Sequence, residues 1–194
     1  AGIYYPYAPE RMPKDGAMLY LSLDISIQHI LESEMDKMLL EYPALGASGL
    51  VLEVSSGDVL AMTSRPTYDP NEFARYDPKS WRNMSISNAY EQGSVMKPFI
   101  VAAALAEQEV TPDTPVFCHN GVCRIIPGRI LHDSHPYGTL TVAEVLVKSS
   151  NIGTAQIGMK LGSQRMCRYL ELVGFGGKTG IHLPGETMGI MKKQ

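Results

Sequence analysis

Eight consecutive apolar residues, Phe99-Ile-Val-Ala-Ala-Ala-Leu-Ala106, make the longest hydrophobic run in the chain and constrain its fold more than any other segment. The run is rich in helix formers and has no polar face, so it predicts a helix buried on every side, at the centre of the fold. It is far short of the roughly 20 residues that cross a bilayer. The chain has 194 residues, 44% of them apolar, enough to enclose one core of ordinary size around such a helix. A formal net charge of −3 with both signs interspersed gives no footprint for nucleic acid and no polybasic run for a membrane surface. The start shows no signal-peptide pattern, so the chain is expected neither to span a membrane nor to address itself to one.

Residues 1–18, with Pro6, Pro9 and Pro13, read as an extended lead-in. Leu19, Leu21 and Leu23 alternate with polar neighbours and predict a half-buried strand, after which Asp24 is a helix N-cap. Ile27, Ile30, Leu31, Glu34, Met38 and Tyr42 recur at helical spacing and predict one apolar stripe, ended by Pro43 and Gly46. Gly49–Val54 and Val59–Thr63, joined across Ser55-Ser56-Gly57-Asp58, predict a hairpin. The stretch from Arg65 to Asn88 has no sustained period and reads as a long excursion. Thr141-Val-Ala-Glu144 carries a capping box, and residues 150–161 and 164–173 predict two further helices that end at Gly174.

Ser94 and Lys97 stand three apart at the mouth of the apolar run, so one helical turn projects both side chains from the same face and lets Oγ and Nζ meet. A serine becomes a nucleophile when a neighbouring base takes its proton. Lysine can do so when it is neutral, which desolvation and a helix N-terminus both favour. The same N-terminus offers backbone N–H groups to a developing oxyanion. The S-x-x-K spacing alone is weak, since about one such pair is expected by chance in a chain of this composition.

The surrounding residues make the pattern specific. Tyr90-Glu-Gln-Gly-Ser-Val-Met-Lys-Pro-Phe99 resembles the nucleophile segment of penicillin-binding proteins, and Ser149-Ser150-Asn151, 55 residues after Ser94, is similar to that family's S-x-N motif. Further similar stretches follow in the family's order: Leu21-Ser-Leu-Asp-Ile-Ser-Ile-Gln28, Gly57-Asp-Val-Leu-Ala-Met62, Arg65-Pro-Thr-Tyr-Asp-Pro-Asn71, Gly138-Thr-Leu-Thr-Val142, and Gly174-Phe-Gly176 with Leu183-Pro-Gly-Glu186. The Asp-Pro-Asn and Ser-Ser-Asn forms look like the class B, monofunctional branch. Gln92 departs from the family, which usually has Pro there. Lys178-Thr-Gly180 spells the family's third motif but begins only 27 residues after Asn151, behind a glycine-rich helix end, and reads as a decoy.

The resemblance implies an α/β fold in which an antiparallel sheet is flanked by helices and a helical subdomain carries the S-x-N motif. It makes residues 19–194 the N-terminal part of a transpeptidase domain, incomplete in this chain. It implies a D,D-transpeptidase acting on peptidoglycan stem peptides and acylated by penicillin and other β-lactams. Ser94 would be the nucleophile, Lys97 the general base, Ser149 a proton relay and Asn151 a contact to Lys97 or to the substrate amide. No metal or cofactor is implied. Partners would be other cell-wall synthesis proteins, at the extracytoplasmic face of the bacterial cytoplasmic membrane. A β-lactamase or penicillin-sensor relative and a non-catalytic interaction module are the rival readings. The three cysteines, Cys118, Cys123 and Cys167, make no CxxC pair and no zinc spacing. The turn signal at Asn120-Gly121 would suit a bridge between Cys118 and Cys123, and composition does not choose between that bridge and two thiols.

Overall fold

The computed structural model describes residues 14–125 and 128–191, and the chain divides into two compact units, Ala1–Ser85 and Ile86–Gln194. Of the predicted lead-in, residues 1–13 lie outside the described residues, and 14–18 are irregular and exposed.

In the first unit, helix α1 (Ile25–Glu41) packs against an antiparallel hairpin of β1 (Ala47–Leu52) and β2 (Val59–Arg65). Asp24 is the N-cap, its carboxylate accepting from the N–H groups of Ser26 and Ile27 at 2.8 and 3.0 Å. The helix lies close to the hairpin because Gly49 has no side chain. A Cβ there would stand 2.8 Å from Met35 Cε and 2.9 Å from Leu31 Cδ1. Gln28 reads the backbone of β2 in both directions, donating from Nε2 to Met62 O at 3.0 Å and accepting from Met62 N at 2.9 Å. Arg65, nearly buried, closes the other end with a two-point bond to Asp36: Nε to Oδ1 at 2.6 Å and Nη2 to Oδ2 at 3.0 Å.

Two expectations for this unit need correction. Residues 19–23 are not a strand. Only Ser22 Oγ to Val59 O and Asp24 N to Leu60 O reach β2, and Leu19, Leu21 and Leu23 stay exposed. Alternation encodes two faces but not a partner to pair with. The buried face of α1 also differs from the predicted stripe. Met35 is buried and Ile27, Leu31 and Leu39 are half-buried, whereas Ile30, Met38 and Tyr42 face solvent. The helix is apolar on more than one side, so spacing alone could not choose the face. Within the long excursion, Asp69-Pro70 and Asp77-Pro78 each start a 3₁₀ turn, Pro70–Arg75 and Pro78–Trp81. Each aspartate accepts from the N–H two residues on. The short helix α2 (Met84–Ser87) spans the boundary between the units.

The second unit is mainly helical. A 3₁₀ turn, Gly93–Met96, runs directly into α3 (Lys97–Ala106). Two small antiparallel pairs follow: β3 (Pro115–Phe117) with β6 (Thr139–Thr141), and β4 (Val122–Cys123) with β5 (Leu131–His132). Then come α4 (Val142–Val147), α5 (Asn151–Leu161) and α6 (Ser163–Leu172). The predicted capping box is formed: Thr141 Oγ1 accepts from Glu144 N, and the Glu144 carboxylate accepts from Thr141 N. Val101, Ala104, Val145, Ile152, Ile157 and Leu161 make the centre of the core. The apolar run is not buried on every side. Val101, Ala103 and Ala104 face α5 and the core, while Ala102 and Ala106 are exposed and Phe99 lies at the surface against Phe175, ring centroids 5.2 Å apart. All three cysteines are free, with Cys118 and Cys123 buried in the core.

Candidate active site

The four predicted site residues all belong to the second unit, on two separate pieces of chain. Ser94 is exposed on the 3₁₀ turn. Gly93 ahead of it takes φ +59°, a left-handed conformation that costs glycine little. Among the described residues no side chain caps this turn. Its first N–H groups are therefore open to an acceptor from outside the chain. Lys97 is the first residue of α3, and its backbone N–H donates to Ser94 O, which fixes Ser94 and the amine to one turn. The Lys97 side chain is buried, 8% exposed.

The Lys97 amine is held by the second piece of chain. Nζ donates to Ser149 O at 2.5 Å and meets Ser149 Oγ at 2.9 Å. Ser149 offers both oxygens to one amine because its backbone is left-handed, φ +52°, at the turn between α4 and α5. Such a conformation costs a non-glycine residue on the order of 1 kcal/mol and persists only where its surroundings enforce it. Burial pushes the Lys97 amine below its usual range, and the charge of Asp133 partly opposes the shift. A buried, lowered lysine gives up its proton more readily than an exposed one, as a base must.

Asn151 opens α5. Its Nδ2 donates to His132 O at 2.8 Å, which fixes the amide plane and leaves Oδ1 as the acceptor on offer. Among the described residues no side-chain bond joins Ser94 to Lys97 or Asn151 to Lys97, so Lys97 and Ser149 are the pair the fold brings into contact. Bonds between a nucleophile and its base commonly tighten only when substrate is bound. Lys178-Thr-Gly180 lies in irregular chain rather than on a strand, with Thr179 donating from N and Oγ1 to Glu186 Oε1, both at 2.6 Å. A cavity of about 470 Å³ lined by Tyr90, Gln92, Met96, Phe175 and Ile190 adjoins the nucleophile turn but contains none of the four site residues.

Sequence reasoning missed Asp133. Its Oδ1 accepts from the N–H groups of Asn151 at 2.5 Å and Ile152 at 3.1 Å, and its Oδ2 accepts from Ser150 Oγ at 2.6 Å. No local spacing signals this contact, because Asp133 precedes Ser150 by 17 residues and arrives through the β4–β5 pair.

A serine at a helix mouth, with a lysine one turn on that is buried against a serine of a second helical segment, is an arrangement that Ser-x-x-Lys acyl-transfer chemistry would require. The model of the penicillin binding protein transpeptidase domain matches residues 47–194, and the chain belongs to that family, in its class B branch. It is 35% identical over 181 residues to stage V sporulation protein D of Bacillus subtilis, covering 92% of this chain and 28% of that protein. To the probable peptidoglycan D,D-transpeptidase PbpC of Pseudomonas aeruginosa it is 33% identical, covering 93% and 32%. Among solved structures, a peptidoglycan glycosyltransferase from Burkholderia ambifaria superposes with a TM-score of 0.78 at 34% identity. That match covers 90% of this chain and 51% of the other. The transpeptidase domain of Burkholderia pseudomallei penicillin-binding protein 3 gives 0.76 at 32%, covering 89% and 47%. The chain thus spans about a third of the length of the curated relatives it matches. The expected fold was an antiparallel sheet flanked by helices with a helical subdomain, incomplete in this chain, and the helices and three two-stranded antiparallel sheets among the described residues agree with an incomplete domain of that fold.

Proposed function

We propose that this chain supplies the nucleophile and S-x-N segments of a peptidoglycan D,D-transpeptidase. Ser94 Oγ attacks the carbonyl carbon of the D-Ala–D-Ala amide in a stem peptide. Its proton passes to the neutral Lys97 amine and onward through Ser149 Oγ to the departing amine of D-Ala. The acyl-enzyme is then resolved by an amine of a neighbouring stem, which re-forms an amide and returns the proton to Ser94. The Asn151 Oδ1 acceptor would orient the substrate amide N–H. The observation that carries this reading is the Lys97 amine, buried, lowered and bonded to Ser149 at 2.9 Å while its own backbone bonds Ser94 O. Penicillin and other β-lactams would trap the same serine. The setting would be cell-wall synthesis at the extracytoplasmic face of the bacterial cytoplasmic membrane, beside other cell-wall synthesis proteins.

Deacylation kinetics tests the reading, using a protein that carries this segment within a whole transpeptidase domain. A transpeptidase acylated by fluorescent penicillin stays labelled for many turnovers of a hydrolase and releases D-Ala from a stem-peptide donor beyond one equivalent only when an acceptor amine is present. Rapid loss of the label to water would make the site that of a β-lactamase, and no labelling at all would leave an interaction module.

A further inference from the structure

The N-terminus of α5 is satisfied by side chains from two directions. Ser150, the N-cap, accepts from Gly153 N at 2.8 Å, and Asp133 takes the N–H groups of Asn151 and Ile152. The Ser150 hydroxyl then has its single proton for Asp133 Oδ2 at 2.6 Å, with Cys118 Sγ at 3.4 Å behind it. Ser150 is fully buried, so these bonds cannot be replaced by solvent without opening the core. Asp133 is itself anchored, its backbone N–H donating to Gly121 O at 3.0 Å and its neighbour His132 accepting from Asn151 Nδ2. Directly ahead of this knot stands Ser149, in its left-handed turn, with both oxygens on the Lys97 amine.

We propose that Asp133 is the positioning residue of the site. By tying Ser150 and the first two N–H groups of α5 to the β4–β5 pair, it holds the Ser149 turn on Lys97. The inference rests on the transpeptidase reading above and assigns Asp133 no contact with substrate. Three neutral donors, two N–H groups and one hydroxyl, converge on one carboxylate, more than a helix cap of the Ser150 type requires. The α4 side of the Ser149 turn is closed by its own backbone, Ser149 N–H to Leu146 O and Ser150 N–H to Val145 O, both at 3.0 Å, and the Asp133 bonds fix the α5 side. The charged or titratable groups on which Asp133 acts are Lys97 on α3 and Cys118 after β3, and its charge raises both.

The test compares Asp133→Ala and Asp133→Asn, each within a whole transpeptidase domain, by saturation kinetics of β-lactam acylation, thermal unfolding and amide exchange. Asp133→Ala should lower the acylation rate constant about a hundredfold, the size of effect a misplacement near 1 Å produces, while the β-lactam binding constant changes only a few-fold. Amide exchange at Asn151 and Ile152 should speed up in step. Asp133→Asn keeps an oxygen for both N–H groups, and Ser150 can accept from its new amide. It should recover most of the rate. With the negative charge gone, Lys97 loses its proton more easily, so the rising limb of the acylation–pH profile should move to lower pH. A folded Asp133→Ala chain that acylates at the wild-type rate would overturn the proposal. So would an Asp133→Asn chain that loses as much rate as Asp133→Ala with an unmoved limb. A wild-type chain that forms no acyl adduct at Ser94 is a separate outcome, which removes the transpeptidase reading and this inference together.

Discussion

Replacing Gly153 by alanine perturbs the site without removing any of its polar atoms. Gly153 sits in the first turn of α5, where a Cβ would stand 2.6 Å from Val145 Cγ2, 3.0 Å from Val145 Cγ1 and 3.1 Å from Ser150 Oγ. Non-bonded carbons rest about 3.5–4.0 Å apart, so α4 and α5 must separate by roughly 1 Å. Val145 cannot swing aside, because it is fully buried and both its methyl groups face the new atom. Alanine gains about 1 kcal/mol over glycine in helix propensity, and overpacking costs about 1–3 kcal/mol. The net is a loss of about 1 kcal/mol, or a few degrees in Tm. The effect on acylation should be larger, about a hundredfold, because the shift falls on the turn that carries Ser149. Adding Val145→Ala makes room and should restore much of the rate, giving a coupling energy well outside additivity. Thermal unfolding and acylation rates of the two single variants and the double variant measure this. A Gly153→Ala chain with raised Tm and undiminished acylation would refute the claim that α4–α5 packing sets the Ser149 position.

Three further outcomes are expected. Lys97→Arg should acylate at least about a hundredfold more slowly than wild type, because a guanidinium holds its proton at any useful pH, as rapid-mixing kinetics would read. Thr141→Ala removes one half of the capping box and should cost about 1 kcal/mol in chemical denaturation, with little change in the acylation rate constant. The Arg65 guanidinium holds the Asp36 carboxyl below its usual range. Its contribution is complete above the unfolded carboxylate value and lost as pH falls through the lower folded value. The stability difference between wild type and Asp36→Asn should therefore shrink across that acid window in melts at stepped pH.

Much of the site was legible because its parts are local. The Ser94 to Lys97 spacing and the Thr141 capping box each lie within one helical turn, where sequence separation and spatial separation agree. The same logic placed α1, the β1–β2 hairpin and the last three helices. What failed was non-local. Asp133 reaches Ser150 through a β-pair, Arg65 at the end of β2 reaches Asp36 on α1, and the buried face of α1 depends on where Gly49 lets it rest. Residues 19–23 show the same limit, since an alternating pattern needs a partner strand that the pattern does not name. The apolar run misled in a subtler way. Small alanines are tolerated at a helix surface as well as in a core, so an all-apolar sequence does not require burial on every side.

The central claim is that Ser94 is acylated and Lys97 is the base that makes it reactive. Intact-mass and peptide-mapping measurements after β-lactam treatment, on a whole transpeptidase domain carrying this segment, test it most directly. The expected result is a single adduct on Ser94, absent in Ser94→Ala and strongly reduced in Lys97→Arg. An adduct on Ser149 or Ser150, or a Lys97→Arg chain that labels as fast as wild type, would contradict it.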